Sequence, residues 1–376
     1  MTLSSRRAAV PQAPAQSAVS DPLQSQATSR GPSAAGRRRA TAWGGGLVVS
    51  LLVAFAVPAA LGLYGDFRDV SATLAGFQWN LMPVLLGVTA LNYLVRYLRW
   101  RKLLKLASGR VPGLWDDLLV FFGGTAMILT PGRLGEWVKS YYAQRLYGAP
   151  VARTAPIPLA ERVSDSLAML LLASAGLLLF GWGAAVFAAV AGIAAAAIIV
   201  FRHRGLASLL FRSLGRFPPA RRLLPSMEEF HESSRLLFSM PALSWALGLG
   251  LMAWSLECLT FFLVLVGLGR PVTWELGVQA AFIFPIATLA GSLSLMPGGM
   301  GVTEGGITGM TQAIVGASRS VSVASALLVR ALILGFAFVL GLVALAALSR
   351  RLSADRQQGR SAGRRSLLAT DRGRCP

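Results

Sequence analysis

The chain has 376 residues, of which 54% are hydrophobic and 14% charged. That is too apolar for an ordinary soluble domain and suits a polytopic membrane protein. The formal net charge of +20 would suit nucleic acid, but the basic residues fall in blocks beside apolar runs, so they read as topology signals and no nucleic-acid partner is expected. Cys258 and Cys375 are too few for a disulfide framework, and His203 and His231 have no neighbours at metal-ligand spacing, so no metal and no cofactor is expected.

Residues 1–42 are rich in Ala, Ser, Pro, Gln and Arg, cannot bury enough apolar surface to order themselves, and are predicted to form a disordered basic tail. Ala54-Phe-Ala56 would suit a cleavage site, but the preceding tail is long for a signal peptide, so the first apolar run is read as an uncleaved helix. A polytopic membrane domain is predicted over 43–350. Its spanning helices, of about 20 residues each, are placed at Trp43–Tyr64, Gln78–Leu98, Ile157–Phe180, Gly183–Phe201, Ala242–Gly267 and Val321–Leu348. Residues 351–376 are predicted to form a second disordered basic tail.

Between these helices lie two broken segments, Leu114–Tyr147 and Trp274–Gly316. The first contains Leu129-Thr-Pro-Gly-Arg-Leu-Gly135 and the second Leu295-Met-Pro-Gly-Gly-Met-Gly301, with the breaks at Pro131, Gly132 and Gly135 and at Pro297, Gly298, Gly299 and Gly301. Proline removes a backbone donor and glycine relieves the limits on φ, so each segment stops being a simple helix there. Lipid cannot satisfy the freed groups, so the breaks must be packed in protein or line a polar cavity. The limb Leu114–Thr130 is short for a crossing, which favours hairpins that re-enter. The alternative is a tight turn between two short crossings, giving eight helices in all.

Lys and Arg set the orientation. Clusters precede the first helix (Arg37 to Arg39), follow the second (Arg96 to Arg110) and fourth (Arg202 to Arg222), and follow the last (Arg350, Arg351, Arg356), whereas the other side has only Arg68, Arg270 and Arg319. Under the positive-inside rule both termini are cytoplasmic, and the two broken segments enter from opposite faces. The expected fold is therefore an all-α integral membrane protein: about six spanning helices plus two broken re-entrant hairpins in an inverted repeat, with half one at about 78–180 and half two at about 242–348.

Ionisable residues inside a membrane cost several kcal/mol unless paired or hydrated, which makes them candidates for function. Arg133 and Glu136 follow the first break, and free amides beside an arginine would suit a phosphate. Glu161, Arg162 and Asp165 open the next helix; they either neutralise one another or free Arg162 for a ligand while one acid pairs with a hairpin cation. Glu304 follows the second break and Arg330 lies within the last helix, near the repeat counterpart of Arg162; they form a buried ion pair, or Arg330 meets substrate. Arg96, Arg99, Lys139 and Glu257 form a second tier, with Lys139 read as nearer the surface and Glu257 as a packing partner for a cation. Gly299-Met-Gly301-Val-Thr-Glu304 is not a dinucleotide loop, since no strand precedes it. No catalytic residues are assigned.

The stretches Asn92-Tyr-Leu-Val-Arg96-Tyr-Leu-Arg99-Trp100, Leu129 to Lys139, Glu161-Arg162-Val-Ser-Asp165 and Pro297 to Glu304 together resemble the transmembrane domain of the lysylphosphatidylglycerol synthase and flippase family, over about residues 43–350. The resemblance implies a bacterial inner-membrane protein that moves lipid between leaflets. Family members that make aminoacylated lipid carry a soluble transfer domain after the membrane part. With little sequence after Arg350, that synthase activity is not expected here. Other relatives are linked to glycolipid and polyprenyl-linked pathways, so the expected partner is a membrane phospholipid or polyprenyl-phosphate-type lipid. Two other readings compete: a membrane-embedded head-group or glycosyl transferase with Glu136, Glu161 or Glu304 as general base, which lacks a donor-binding motif, and an accessory subunit that docks a separate lipid synthase or glycosyltransferase.

Overall fold

A computed structural model of the chain describes residues 56–110, 112–125, 138–180, 184–202, 227–294 and 296–372. The N-terminal tail and the first break, Leu129 to Gly135, lie outside them. In chain order the helices are α1 (56–64), α2 (Phe67–Ala75), α3 (Met82–Ser108), α4 (Leu114–Thr125), α5 (Val138–Tyr147), α6 (Val151–Thr154), α7 (Ile157–Phe180), α8 (Ala184–Arg202), α9 (Met227–Leu237), α10 (Met240–Gly267), α11 (Trp274–Leu293), α12 (Val302–Val315) and α13 (Arg319–Arg372). There is no strand among the described residues.

Local chemistry sets the helix ends. A proline stands in the first turn of both α3 and α10, where its missing donor costs nothing, and α3 stops at Gly109, whose φ of 67° is left-handed. Thr273 caps α11 by accepting from the Leu276 amide at 3.1 Å. Among the described residues, four helices are long and apolar enough to cross a membrane: Trp79–Ser108, α10, α11 and Arg319–Arg351 of α13. The chain is an all-α membrane protein. Its exposed surfaces match: Leu91, Leu94 and Leu98 of α3 point outward while Thr89, Asn92 and Arg99 of the same helix are buried. That is the reverse of a soluble helix, and lipid is the solvent that permits it.

Three features differ from the sequence expectation. The short helices α2 and α9 fall where connecting segments were expected; Asp66 begins α2 by accepting from the Arg68 amide at 3.0 Å. The second hairpin is asymmetric: α11 has 20 residues, about 30 Å and enough to cross, while α12 has 14, about 21 Å. Where a disordered tail was expected from 351, the backbone continues as helix to Arg372. The segment is rich in Arg, Gln, Ala and Leu, and extending an existing helix needs no new nucleus.

Packing joins elements far apart in the chain. Helices α3 and α10 pack against each other, α4 from the first hairpin packs on α13, and α11 from the second packs on α7. Two apolar clusters fill the interior: one around Phe261, Phe282 and Phe284, the other around Trp100, Leu103 and Phe238. Close approach of α7 and α11 depends on Gly176, because a Cβ there would meet the Phe282 side chain. Gly176→Leu is expected to destabilise the fold by about 1–3 kcal/mol, the usual range for overpacking, read as a lower Tm of the purified protein in detergent. An unchanged Tm would mean that this contact has slack.

Candidate functional site

A cavity of about 70 Å³ lies between the two apolar clusters. Its walls come from α3 (Tyr93, Arg96, Arg99), α4 (Phe121, Thr125), α5 (Lys139), α7 (Glu161, Arg162, Asp165), α10 (Trp254, Glu257), α11 (Phe284, Thr288) and α13 (Arg330, Ile333, Leu334). Five cations and three carboxylates thus face one space.

Helix α3 supplies two of the cations because Arg96 and Arg99, three residues apart, share its inner face. Asp165 receives both: its Oδ1 accepts from Arg99 Nη1 at 2.7 Å and from the Trp254 indole at 3.0 Å, and its Oδ2 lies 3.5 Å from Arg96 Nη1. Glu257 Oε1 accepts from Arg96 Nη2 at 2.7 Å and from Asn92 Nδ2 at 2.8 Å, while Asn92 Oδ1 accepts from Arg96 Nε at 2.9 Å. The Arg96 guanidinium also lies 5.0 Å from the Trp254 ring centre. Gly250 lets α10 come this close, since its Cβ would stand 3.1 Å from Arg99 Nη1.

Lys139, expected near the surface, is buried at 4% exposure. The reason is local: Gly124 has no side chain, so the methylenes of Lys139 cross α4 there and carry the ammonium inward. It ends between the rings of Trp100 and Phe121, at 5.1 and 4.8 Å, and 3.9 Å from Glu161 Oε2. Trp100 is held in turn by donating to Asp117 at 3.0 Å, which also accepts from the Tyr97 hydroxyl at 3.1 Å.

The second break is tied to the same cavity. Pro297–Gly299 makes one tight turn, with Gly298 at φ 60° and Gly299 at φ 68°, conformations that favour glycine. Gly301, at φ 85°, starts α12, and its amide donates to Glu304 Oε2 at 2.6 Å. Arg330 donates through Nε to Glu304 Oε1 and through Nη2 to the Gly298 carbonyl, both at 2.6 Å. Arg330 therefore supplies a donor to the broken backbone and a counter-ion to the acid. It sits 11 residues past Arg319, roughly 16 Å along the helix axis.

Of the sequence candidates, Glu161, Arg162, Asp165 and Arg330 line the cavity and Glu304 stands directly behind Arg330; Arg96, Arg99, Lys139 and Glu257 are brought there as well. Arg133 and Glu136, with Pro131, Gly132 and Gly135, lie outside the described residues. Sequence reasoning did not single out Tyr93, Trp254 or Thr288. Trp254 carried a usable signal, standing one helical turn before Glu257 in an otherwise apolar run. Among the described residues no cluster of His, Cys, Asp and Glu could hold a metal ion.

The transmembrane-region model of lysylphosphatidylglycerol synthase matches residues 43–341, and the chain belongs to that family. No curated protein matches the chain.

Removing one partner of a buried ion pair leaves the other charge uncompensated, at a cost of about 3–5 kcal/mol. Asp165→Ala is accordingly expected to destabilise the purified protein by that amount, whereas Asp165→Leu combined with Arg99→Met restores much of the loss. Denaturant unfolding of wild type and the two variants in detergent checks this; equal stability of the single and double variants would show that the pair is not what holds α3 to α7.

Proposed function

We propose that this member of the lysylphosphatidylglycerol synthase transmembrane-region family moves a lipid with an anionic phosphate head group between the leaflets of a bacterial inner membrane. The observation that carries the reading is the convergence of cationic side chains on one cavity. Among the described residues, Arg96, Arg99, Lys139, Arg162 and Arg330 line it from α3, α5, α7 and α13. A phosphodiester brings one negative charge and oxygens that suit the forked donors of arginine. The cavity volume suits a phosphate and not acyl chains, so the chains stay in the bilayer while the head group crosses.

The exchanged packing of α4 on α13 and α11 on α7 supports a mechanism in which the halves rock about the cavity. Arg162 and Arg330, one from each half, then hold the head group in turn, while Arg96 and Arg99 stay fixed by Asp165 and Glu257. The termini and the basic segments beside α3 and α13 face the cytoplasm in this reading, as the distribution of Lys and Arg supports. The lipid is a phospholipid or a polyprenyl-phosphate-type lipid supplied by a separate synthase or glycosyltransferase.

Reconstitution with fluorescent phosphatidylglycerol tests the proposal. Wild type is expected to equilibrate the probe between leaflets, and Arg162→Ala and Arg330→Ala to slow it at least tenfold, with monodispersity of each variant confirmed beforehand. Transfer at the wild-type rate by both variants removes their role.

A further inference from the structure

A lysine near a membrane usually extends its ammonium to water, because that charge is compact and strongly hydrated. Lys139 runs the other way. It stands in the first turn of α5, is 4% exposed and reaches the wall of the cavity that Arg99, Arg162 and Arg330 also line. Its route depends on α4: a Cβ on Gly124 would collide with Cγ, Cδ and Cε of Lys139.

The ammonium ends among groups from three other helices. The ring centre of Trp100 on α3 is 5.1 Å away, that of Phe121 on α4 is 4.8 Å away, and Glu161 Oε2 on α7 is 3.9 Å away. Among the described residues Glu161 is its one charged partner, and it is too far for a hydrogen bond. A lysine placed only to neutralise Glu161 would come closer; this one is centred on ring faces. Aromatic faces with a carboxylate nearby are how proteins recognise a free ammonium ion.

The cage is also rigid. Trp100 is fully buried, and its indole donates to Asp117 Oδ1 at 3.0 Å. Oδ2 of that acid accepts from the Tyr97 hydroxyl at 3.1 Å, and the Tyr97 ring meets Phe121 edge-on with centres 5.6 Å apart. None of these contacts involves Lys139, so the cage keeps its shape without it.

We infer that Trp100, Phe121 and Glu161 form an ammonium site on the cavity wall, that Lys139 itself fills this site, and that the protein thereby takes phosphate lipids whose head groups carry no amine. For the identity of the lipid the inference rests on the anion reading of the cavity. A tethered ammonium is always at high effective concentration, so a free one cannot displace it readily. An ethanolamine head group whose phosphate is held in the cavity would find the cage closed and its own ammonium left beside arginines. A glycerol head group or a polyprenyl phosphate brings no such charge. Lys139 is thus a specificity-determining residue, acting by exclusion.

The test begins with full-length Lys139→Ala, which lacks Cγ to Nζ, the atoms of n-propylammonium. The variant is purified in detergent with that amine present and then dialysed. Adding the amine back to saturation is expected to raise its Tm by about 2–4 °C and to leave wild type unchanged, whereas n-propanol and sodium chloride at the same concentration stabilise neither. Lys139→Met keeps the methylenes over Gly124 and fills the cage with a neutral thioether, so it gains nothing from the amine. For the lipid, each protein is reconstituted in phosphatidylglycerol vesicles with a trace of acyl-labelled phosphatidylglycerol or phosphatidylethanolamine. Wild type and Lys139→Met are expected to move the glycerol lipid at least about tenfold faster than the ethanolamine lipid, and Lys139→Ala to cut that preference to about threefold or less. No gain in Tm from the amine, or a variant that aggregates even in its presence, overturns the ammonium site. A gain in Tm with the wild-type preference retained in Lys139→Ala overturns the selectivity. Loss of the preference in Lys139→Met does so too, since the lysine would then act by its charge and not by filling the cage. Transfer of neither lipid by wild type sinks the transport reading and the selectivity with it, while the Tm measurement still decides the ammonium site.

Discussion

In a medium that cannot solvate ions, a charge survives only beside its opposite, and that constraint organises this protein. Arg99 with Asp165 joins α3 to α7, Arg96 with Glu257 joins α3 to α10, Lys139 with Glu161 joins α5 to α7, and Arg330 with Glu304 joins α13 to α12. Each pair bridges two helices, so neutralising the charges and assembling the bundle are one event. Apolar attraction contributes little between helices that lipid solvates equally well. The ionic pairs, the buried indole and amide donors, and the glycines that let side chains pass supply the specificity instead.

The same constraint explains why the backbone break at Pro297–Gly299 is tolerated. A broken helix exposes carbonyls that lipid cannot satisfy. Arg330 covers the Gly298 carbonyl and Glu304 takes up the Gly301 amide, so one ion pair serves the break as well as itself. That dual use links the site to the fold: whatever draws Arg330 towards the cavity also loosens the turn at the head of α12.

The aromatic residues have a related part. Trp254 and Phe284 border the cavity from one apolar cluster and Tyr93 and Phe121 from the other, so the ions lie between two rigid walls. Trp254 and Trp100 each use the indole N–H to hold a carboxylate, Asp165 and Asp117, while presenting a ring face to a cation. Amphipathic rings let a charged cavity be embedded in an apolar bundle.

Composition and the order of apolar runs determined the membrane class and most helix positions, because lipid forces spanning segments to be long and continuous in sequence. The second break and the Glu304–Arg330 pair were also legible, since proline, glycine and a charge in an apolar run stand out without any partner being known. Tertiary structure alone decided which charges converge. Arg96 and Arg99 lie in a basic cluster at the end of α3, where in one dimension they look like topology signals; the approach of α7 and α10 turns their face inward onto Asp165 and Glu257. Lys139 likewise looked peripheral until Gly124 gave it a path to the interior. Spacing along a chain names the residues that share a face, but which face meets the centre depends on neighbours far away in sequence.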